Sequence, residues 1–375
     1  MNSPTSSRTS RKAVSLSQVF YKNAVYFPNY RLYNGDTPGA LNFSCISTVY
    51  YSFANVALDG GVYVSEMPAS GDSRHGLTLV IQLSDEYADL QAPCDGVSGG
   101  LGSLMHLKQK HPHLQVILSI GGSASSQAFS TVAASAVLRD NFARSARGLV
   151  EASGLDGIDN PQEGAGFLAL LAAVRLYLPE EHYLLTAALP ASCPILANID
   201  LRRAADYLDL LNLVAYDFYG PWSPRSGHHA QLYPSSKDDD TSVSSTVSYL
   251  LSQGFPAQKT LLGIPLFGRS FVAVPGPGHR SKGSAPGSNG DGTFDYSQLP
   301  RRGTKEQLDK RACAAFCVGG DGGFVSYDNP DTVKQKAAFC RQKGLGGMFY
   351  WTGPADAKDS KRSLIAAGFR ALHSS

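Results

Sequence analysis

Three carboxylates fall close together in the run GLDGIDNPQEGAGF, residues 154–167: Asp156, Asp159 and Glu163. Grouped carboxyls can do acid–base work when their surroundings push their pKa values apart. Two local readings of the run compete. As a continuing strand, residues 159, 161 and 163 share one face by the period of two. Pro161, however, lacks the N–H that a ladder needs. As a helix start, Asn160 is an N-cap, and Pro161 takes the first helical position, where its missing N–H is no loss. Glu163 then sits at N3, facing the positive end of the helix and able to reach back as in a capping box. Leu168, Leu171 and Ala172 begin an apolar stripe behind it. Local physics favours the helix start.

These groups need a frame. Eight near-continuous apolar runs recur along the chain: NAVYF, CISTVYYSFANV, LQVILSIGG, GLDGID, YLLTAALP, LDLLNLVAYDFYG, TLLGIPLFG and GGMFYW. Amphipathic stretches such as LGSLMHLKQKHP and FLALLAAVRLYL separate them. Runs without alternation suit parallel strands buried on both faces. Eight of them with helical crossovers predict an α/β fold, a (β/α)8 TIM barrel. An open doubly wound sheet wants a glycine-rich phosphate turn after the first strand, and NAVYFPNYRLYNG has none. The spacing breaks once, after GRSF. Turn-rich VAVPGPGHRSKGSAPGSNGDG is followed by GTFDYSQLP and GGFVSYDN, which predicts a small inserted α+β subdomain over 270–328, between strands seven and eight.

In such a barrel, chemistry belongs at the C-terminal ends of the strands. Ser119, Asp156, Asp159, Tyr216, Asp217 and Trp351 map there. The only tryptophans, Trp222 and Trp351, follow strands six and eight. Their rings suit the apolar faces of sugars as well as ordinary packing.

The whole chain has 375 residues, 43% hydrophobic and 17% charged, with a formal charge of +2. That supports a large core and gives no footprint for nucleic acid or an anionic membrane. No run is long enough to span a membrane. Residues 1–22 carry Arg8, Arg11 and Lys12, with no acid before Asp36, and read as a disordered basic tail ahead of a barrel over 23–375. They lack the apolar core of a secretory signal, so an intracellular or non-classically exported protein is expected. Cys313 and Cys317 stand in a C-x-x-x-C spacing without the further Cys or His that zinc wants, so no metal is expected. KDDDT (237–241) reads as a solvated loop and GGLGS (99–103) as loop glycine; His228 and His229, in a loop after Trp222, read as exposed loop residues, with contact to a sugar as the alternative.

Taken in order, these segments resemble the family 18 glycoside hydrolases, the chitinases, most closely the fungal members. LSIGG resembles the family's S-x-G-G strand, and AYDFYG its M-x-Y-D strand with Val214 for Met. IPLFGRSF resembles P-x-Y-G-R-S-F with Phe267 for Tyr, and GGMFYW the eighth strand. The resemblance implies hydrolysis of β-1,4 links between N-acetylglucosamine units without a second carboxylate as nucleophile. A single Glu protonates the leaving oxygen, and the substrate's own acetamido carbonyl attacks. No cofactor is implied. Expected partners are chitin or N-acetylglucosamine oligomers, with a monomeric chain.

The family carries this chemistry on D-x-x-D-x-D-x-E, usually DGIDIDWEYP. Asp156 and Asp159 match its first two acids. Without a gap, Pro161 replaces the third Asp and Glu163 falls on the acid. With a gap, I-D-W-E-Y-P is missing and NPQEGAGF begins the next helix. The second alignment predicts impaired or absent hydrolysis, since a general acid is worth about 10²–10⁴ in rate. The first leaves an active chitinase using Glu163. By resemblance the pocket walls are Tyr26, Phe53, Ser119, Tyr216, Asp217, Trp222, Arg269 and Trp351. Tyr216 is expected on the acetamido carbonyl, Asp217 on a sugar hydroxyl, and Tyr26 and Ser119 on Asp159. Ser123 replaces the usual Trp after S-x-G-G, which implies a weaker platform there.

Overall fold

A computed structural model of the chain describes residues 21–57, 59–63, 85–122, 126–160, 164, 166–235, 241–287 and 290–374. Most of the expected tail (1–20), Pro161, Glu163, Ser123 and residues 237–240 of KDDDT lie outside the described residues.

Seven parallel strands come first: β1 (Lys22–Pro28), β2 (Thr48–Val56), β3 (Gln115–Ile120), β4 (Gly157–Asp159), β5 (Leu184–Pro190), β6 (Leu210–Val214) and β7 (Thr260–Pro265). The eighth barrel strand, β13 (Gly347–Trp351), lies between β7 and β1, and β1 pairs with β2, so the sheet closes into a barrel. The longer outer helices are α1 (Gly100–Lys110), α2 (Ser126–Ala134), α3 (Ala136–Ser153), α4 (Phe167–Tyr177), α5 (Val243–Ser252), α6 (Pro330–Lys343) and α7 (Leu364–His373).

The strands are apolar on both faces because each face has its own layer. In β1, Ala24 and Tyr26 join an inner cluster with Tyr50, Ile117, Leu261 and Phe349. Val25 and Phe27 join an outer cluster with Val116, Leu118, Met348 and the helices. Side chains one apart therefore serve opposite layers. A fully buried large apolar side chain stabilises by roughly 1.5–3 kcal/mol. The outer layer holds far more of them, so it carries most of the stabilisation and leaves the interior free to hold polar groups.

After Pro265 the chain leaves the barrel. β8 (Phe267–Phe271), β9 (Thr293–Asp295), β10 (Gln307–Asp309), β11 (Ala314–Gly319) and β12 (Gly323–Tyr327) form an antiparallel sheet in the order β9-β8-β12-β11-β10. A 3-10 turn, Tyr296–Gln298, follows β9. The expected strand TLLGIPLFG is thus two strands of different sheets. Leu266 sits at the break, donating to Trp351 O (2.7 Å) and accepting from Tyr296 N–H (2.8 Å). The C-x-x-x-C run supplies β11, and all six cysteines are free.

Three local expectations are corrected. α4 begins at Phe167 with Gly166 as its N-cap, not at Pro161 with Asn160, whose N–H donates to Thr186 O (3.0 Å). The cause is the left-handed backbone at Gly164 and Gly166 (φ 107° and 92°), which no helix continues. GGLGS is not loop but runs into the first turn of α1. His228 and His229 are fully buried, not exposed, because the insert closes over them.

Candidate functional site

Register brings the first group together. β3, β4 and β5 set Ser119, Asp159 and Thr186 side by side. Asp159 is fully buried. Its Oδ2 accepts from Tyr26 (2.7 Å) and Ser119 (2.9 Å), and its Oδ1 from Thr186 (2.7 Å) and Asn212 (3.4 Å). Burial pushes its pKa up, and the four donors pull against that. An ionised carboxylate offers about four lone-pair sites, so Asp159 has none left for a ligand. Tyr26 also accepts from Asn212 (2.9 Å) and stacks on Tyr50, ring centroids 4.6 Å apart. This node is a rigid polar floor.

Asp156 is not part of it. It precedes β4, at the N-terminal end of the barrel, where it pairs with Lys108 of α1 (2.7 Å) and accepts from Val116 N–H (2.7 Å). It clamps a helix to the barrel at the end opposite the mouth.

The second group lies just past β6. Tyr216 packs edge-on to Phe267 at 5.8 Å. Burial first, then Asp217 and Asp159, push its phenol well up, so it stays a hydrogen-bond donor. Asp217 has a left-handed backbone, φ 63°. Arg269 of β8 holds it with two bonds, Nε to Oδ1 (2.6 Å) and Nη2 to Oδ2 (2.9 Å), and His229 Nδ1 lies 3.5 Å from Oδ1. Burial pulls Asp217 up, but His229 and the guanidinium outweigh it and hold the carboxyl at about 2. The Arg269 guanidinium in turn lies 4.6 Å from the Trp222 ring, which is 61% exposed.

Trp351 closes the third side, 5.3 Å from the ring of Tyr26 and stacked with Phe53 at 5.7 Å. A cavity of about 320 Å³ opens between this ring, Tyr30, Asp217, Arg269 and Asp291. Another of about 390 Å³ opens on the far side of Tyr216 and Asp217, against Cys193 and Thr246. Asp217 therefore lines both hollows, and Tyr216 lines the second. Tyr26, Phe53, Ser119, Asp159, Tyr216, Asp217, Trp222, Arg269 and Trp351 are brought to one end of the barrel. Thr186, Asn212 and His229 were not foreseen. Thr186 and Asn212 are single polar residues inside apolar strands, and a buried polar group needs a partner. That was the available signal.

Three comparisons bear on this arrangement. The model for "Glycosyl hydrolases family 18" matches residues 22–356. "Chitinase 1" of Aphanocladium album is 32% identical over 374 residues, covering 94% of this chain and 86% of that protein. "Endochitinase 1" of Metarhizium robertsii is 33% identical over 372 residues, covering 94% and 85%. Among solved structures, chitinase ChiA74 from Bacillus thuringiensis has a TM-score of 0.81 at 25% identity, covering 94% of this chain and 69% of that one. A Cycas revoluta chitinase in complex with (GlcNAc)3 shares the fold, with a TM-score of 0.77 at 24% identity, covering 94% and 99%.

Proposed function

The chain belongs to glycosyl hydrolase family 18, and we propose from this that its barrel mouth binds chitin or N-acetylglucosamine oligomers while cleaving their β-1,4 links poorly or not at all. Asp217, shared by two hollows with Tyr216 and Trp351 on their walls and Trp222 beside Arg269, carries the binding half of the proposal. A neutral sugar meets fixed donors and flat rings there. The Tyr216 phenol donates to the acetamido carbonyl. Asp217, held at both oxygens by Arg269, keeps lone pairs for a hydroxyl. The similar proteins named chitinase and endochitinase point to the same class of polymer.

The other half rests on where β4 stops. Its ladder ends at Asp159, and Asn160 belongs to neither strand nor helix. A substrate-assisted reaction needs one carboxylate on the acetamido N–H and one acid on the leaving oxygen. Asp159 is saturated by its four donors, and Asp217 is held ionised. Neither can serve as that acid. Pro161, two positions on, offers no carboxylate.

Calorimetric titration with the hexamer of N-acetylglucosamine tests the binding half. Wild type should bind, and Trp351→Ala should lose roughly tenfold, about 1.4 kcal/mol. A wild type that does not bind overturns it.

A further inference from the structure

Away from the hollows, one part of the surface collects positive charge that no acid among the described residues pairs with. An isolated antiparallel bridge pairs Arg225 with Arg280. The loops that meet there are stitched together. Ser226 N–H donates to His279 O (2.8 Å), Gly278 N–H to Ser226 O (2.7 Å) and Ser281 N–H to Pro224 O (3.0 Å). Arg225 Nη1 donates to Gly278 O (2.8 Å), which fixes its side chain. Residues directly opposite in an antiparallel pair hold their Cβ atoms about 4.5–5.5 Å apart, and like charges so placed repel. His279 and Lys282 extend the same loop, and all four side chains are exposed.

Among the described residues no acid pairs with them. Cations such as Lys108, Arg175, Arg269 and Arg301 pair with acids, whereas Arg225, Arg280 and Lys282 pair with none among the described residues. Between Asp217 and Asp291 the only acids in the sequence are Asp238, Asp239 and Asp240. A single surface cation is an ordinary solvated group. Two arginines held in register across a bridge, with a lysine beside them, repel one another until an outside anion screens them.

The same loop supplies a reason to expect a sugar. Trp222 stands three residues before Arg225, largely exposed, with its ring steadied by Arg269. A flat apolar ring matches the apolar face of a pyranose and offers little to a bare chain of anions. We propose that this surface binds a glycan bearing carboxylate or sulfate groups. Arg225, Arg280 and Lys282 hold the anions, and Trp222 stacks on a ring. The site shares only Trp222 with the mouth and goes beyond the reading given above.

The test titrates the whole chain with a sulfated heparin oligosaccharide, an oligogalacturonate, inorganic polyphosphate and the N-acetylglucosamine hexamer. At least one anionic glycan should bind, and which of the two binds tells sulfate from carboxylate. The double variant Arg225→Glu/Arg280→Glu should weaken that binding by roughly tenfold or more, and added salt should weaken it in wild type. Hexamer binding should be unchanged in the double variant, with an unshifted melting midpoint showing that the variant folds. Trp222→Ala should weaken the glycan and leave polyphosphate untouched. The proposal falls if neither anionic glycan binds, or if the double variant binds it as well as wild type does. It also falls if polyphosphate binds as tightly as the glycan and Trp222→Ala changes neither. Glycan binding without hexamer binding retains this surface and overturns the mouth reading; the reverse does the opposite.

Discussion

Asp217 is where the electrostatics of the mouth converge. Its left-handed backbone is uncommon for a residue with a side chain, and such strain persists only when neighbours enforce it. Here the two-point grip of Arg269 enforces it. The carboxyl at about 2 lies below the ordinary value near 3.9. A depressed acid contributes stability that is present above its unfolded value and lost as pH falls through its folded one. Between pH of about 4 and 2 the wild type should therefore lose stability that Asp217→Asn does not. The difference should be on the order of 1 kcal/mol, since the partly exposed side chain is screened by solvent. Denaturant midpoints across that range measure it, and parallel curves would contradict it. The bonds from Tyr26 and Ser119 to Asp159 were legible through the family resemblance. Those from Thr186 and Asn212 were not, because a lone polar residue in an apolar strand announces a partner without naming it. His228 and His229 were misread for a similar reason: only the closed insert shows what covers them.

Among elements, β4 is the most constrained. It has only three residues and carries Asp159 between β3 and β5. Gly157 opens it, and a Cβ there would come within 1.9 Å of Leu184 O. The neighbouring strand cannot move without disturbing the barrel. Gly157→Ala should destabilise by on the order of 3 kcal/mol, read from urea unfolding; a loss under about 0.5 kcal/mol would mean the contact relaxes freely. Just beyond β4, local signals misled. Asn160 and Pro161 form a good helix entry on propensity alone, yet the chain turns at Gly164 and Gly166 and starts α4 at Phe167. Capping preferences are worth about 1 kcal/mol, too little to override how a strand must hand over to its helix.

For the whole molecule, the barrel was legible because eight apolar runs recur at regular spacing, and the insert because that spacing breaks once. The sequence did not reveal how the insert is fastened. Arg31 reaches Asp295 (2.9 Å), and the buried Lys336 joins Asp328 (2.5 Å) and Ala230 O (2.6 Å). The bonds from Arg31 to Asp295 and from Lys336 to Ala230 O join residues far apart in sequence, so no local pattern carries them. They hold one wall of the cleft against the barrel. On the proposed reading, a cleft that keeps its walls but lacks the acid should bind without turning over. The measurement that decides this is hydrolysis of a defined N-acetylglucosamine oligomer by wild type and by Glu163→Gln, with binding measured on the same samples. Binding by both proteins, with equal turnover near background, is predicted. Clear wild-type turnover that drops by about 10²–10⁴ in Glu163→Gln would contradict it and make Glu163 the acid.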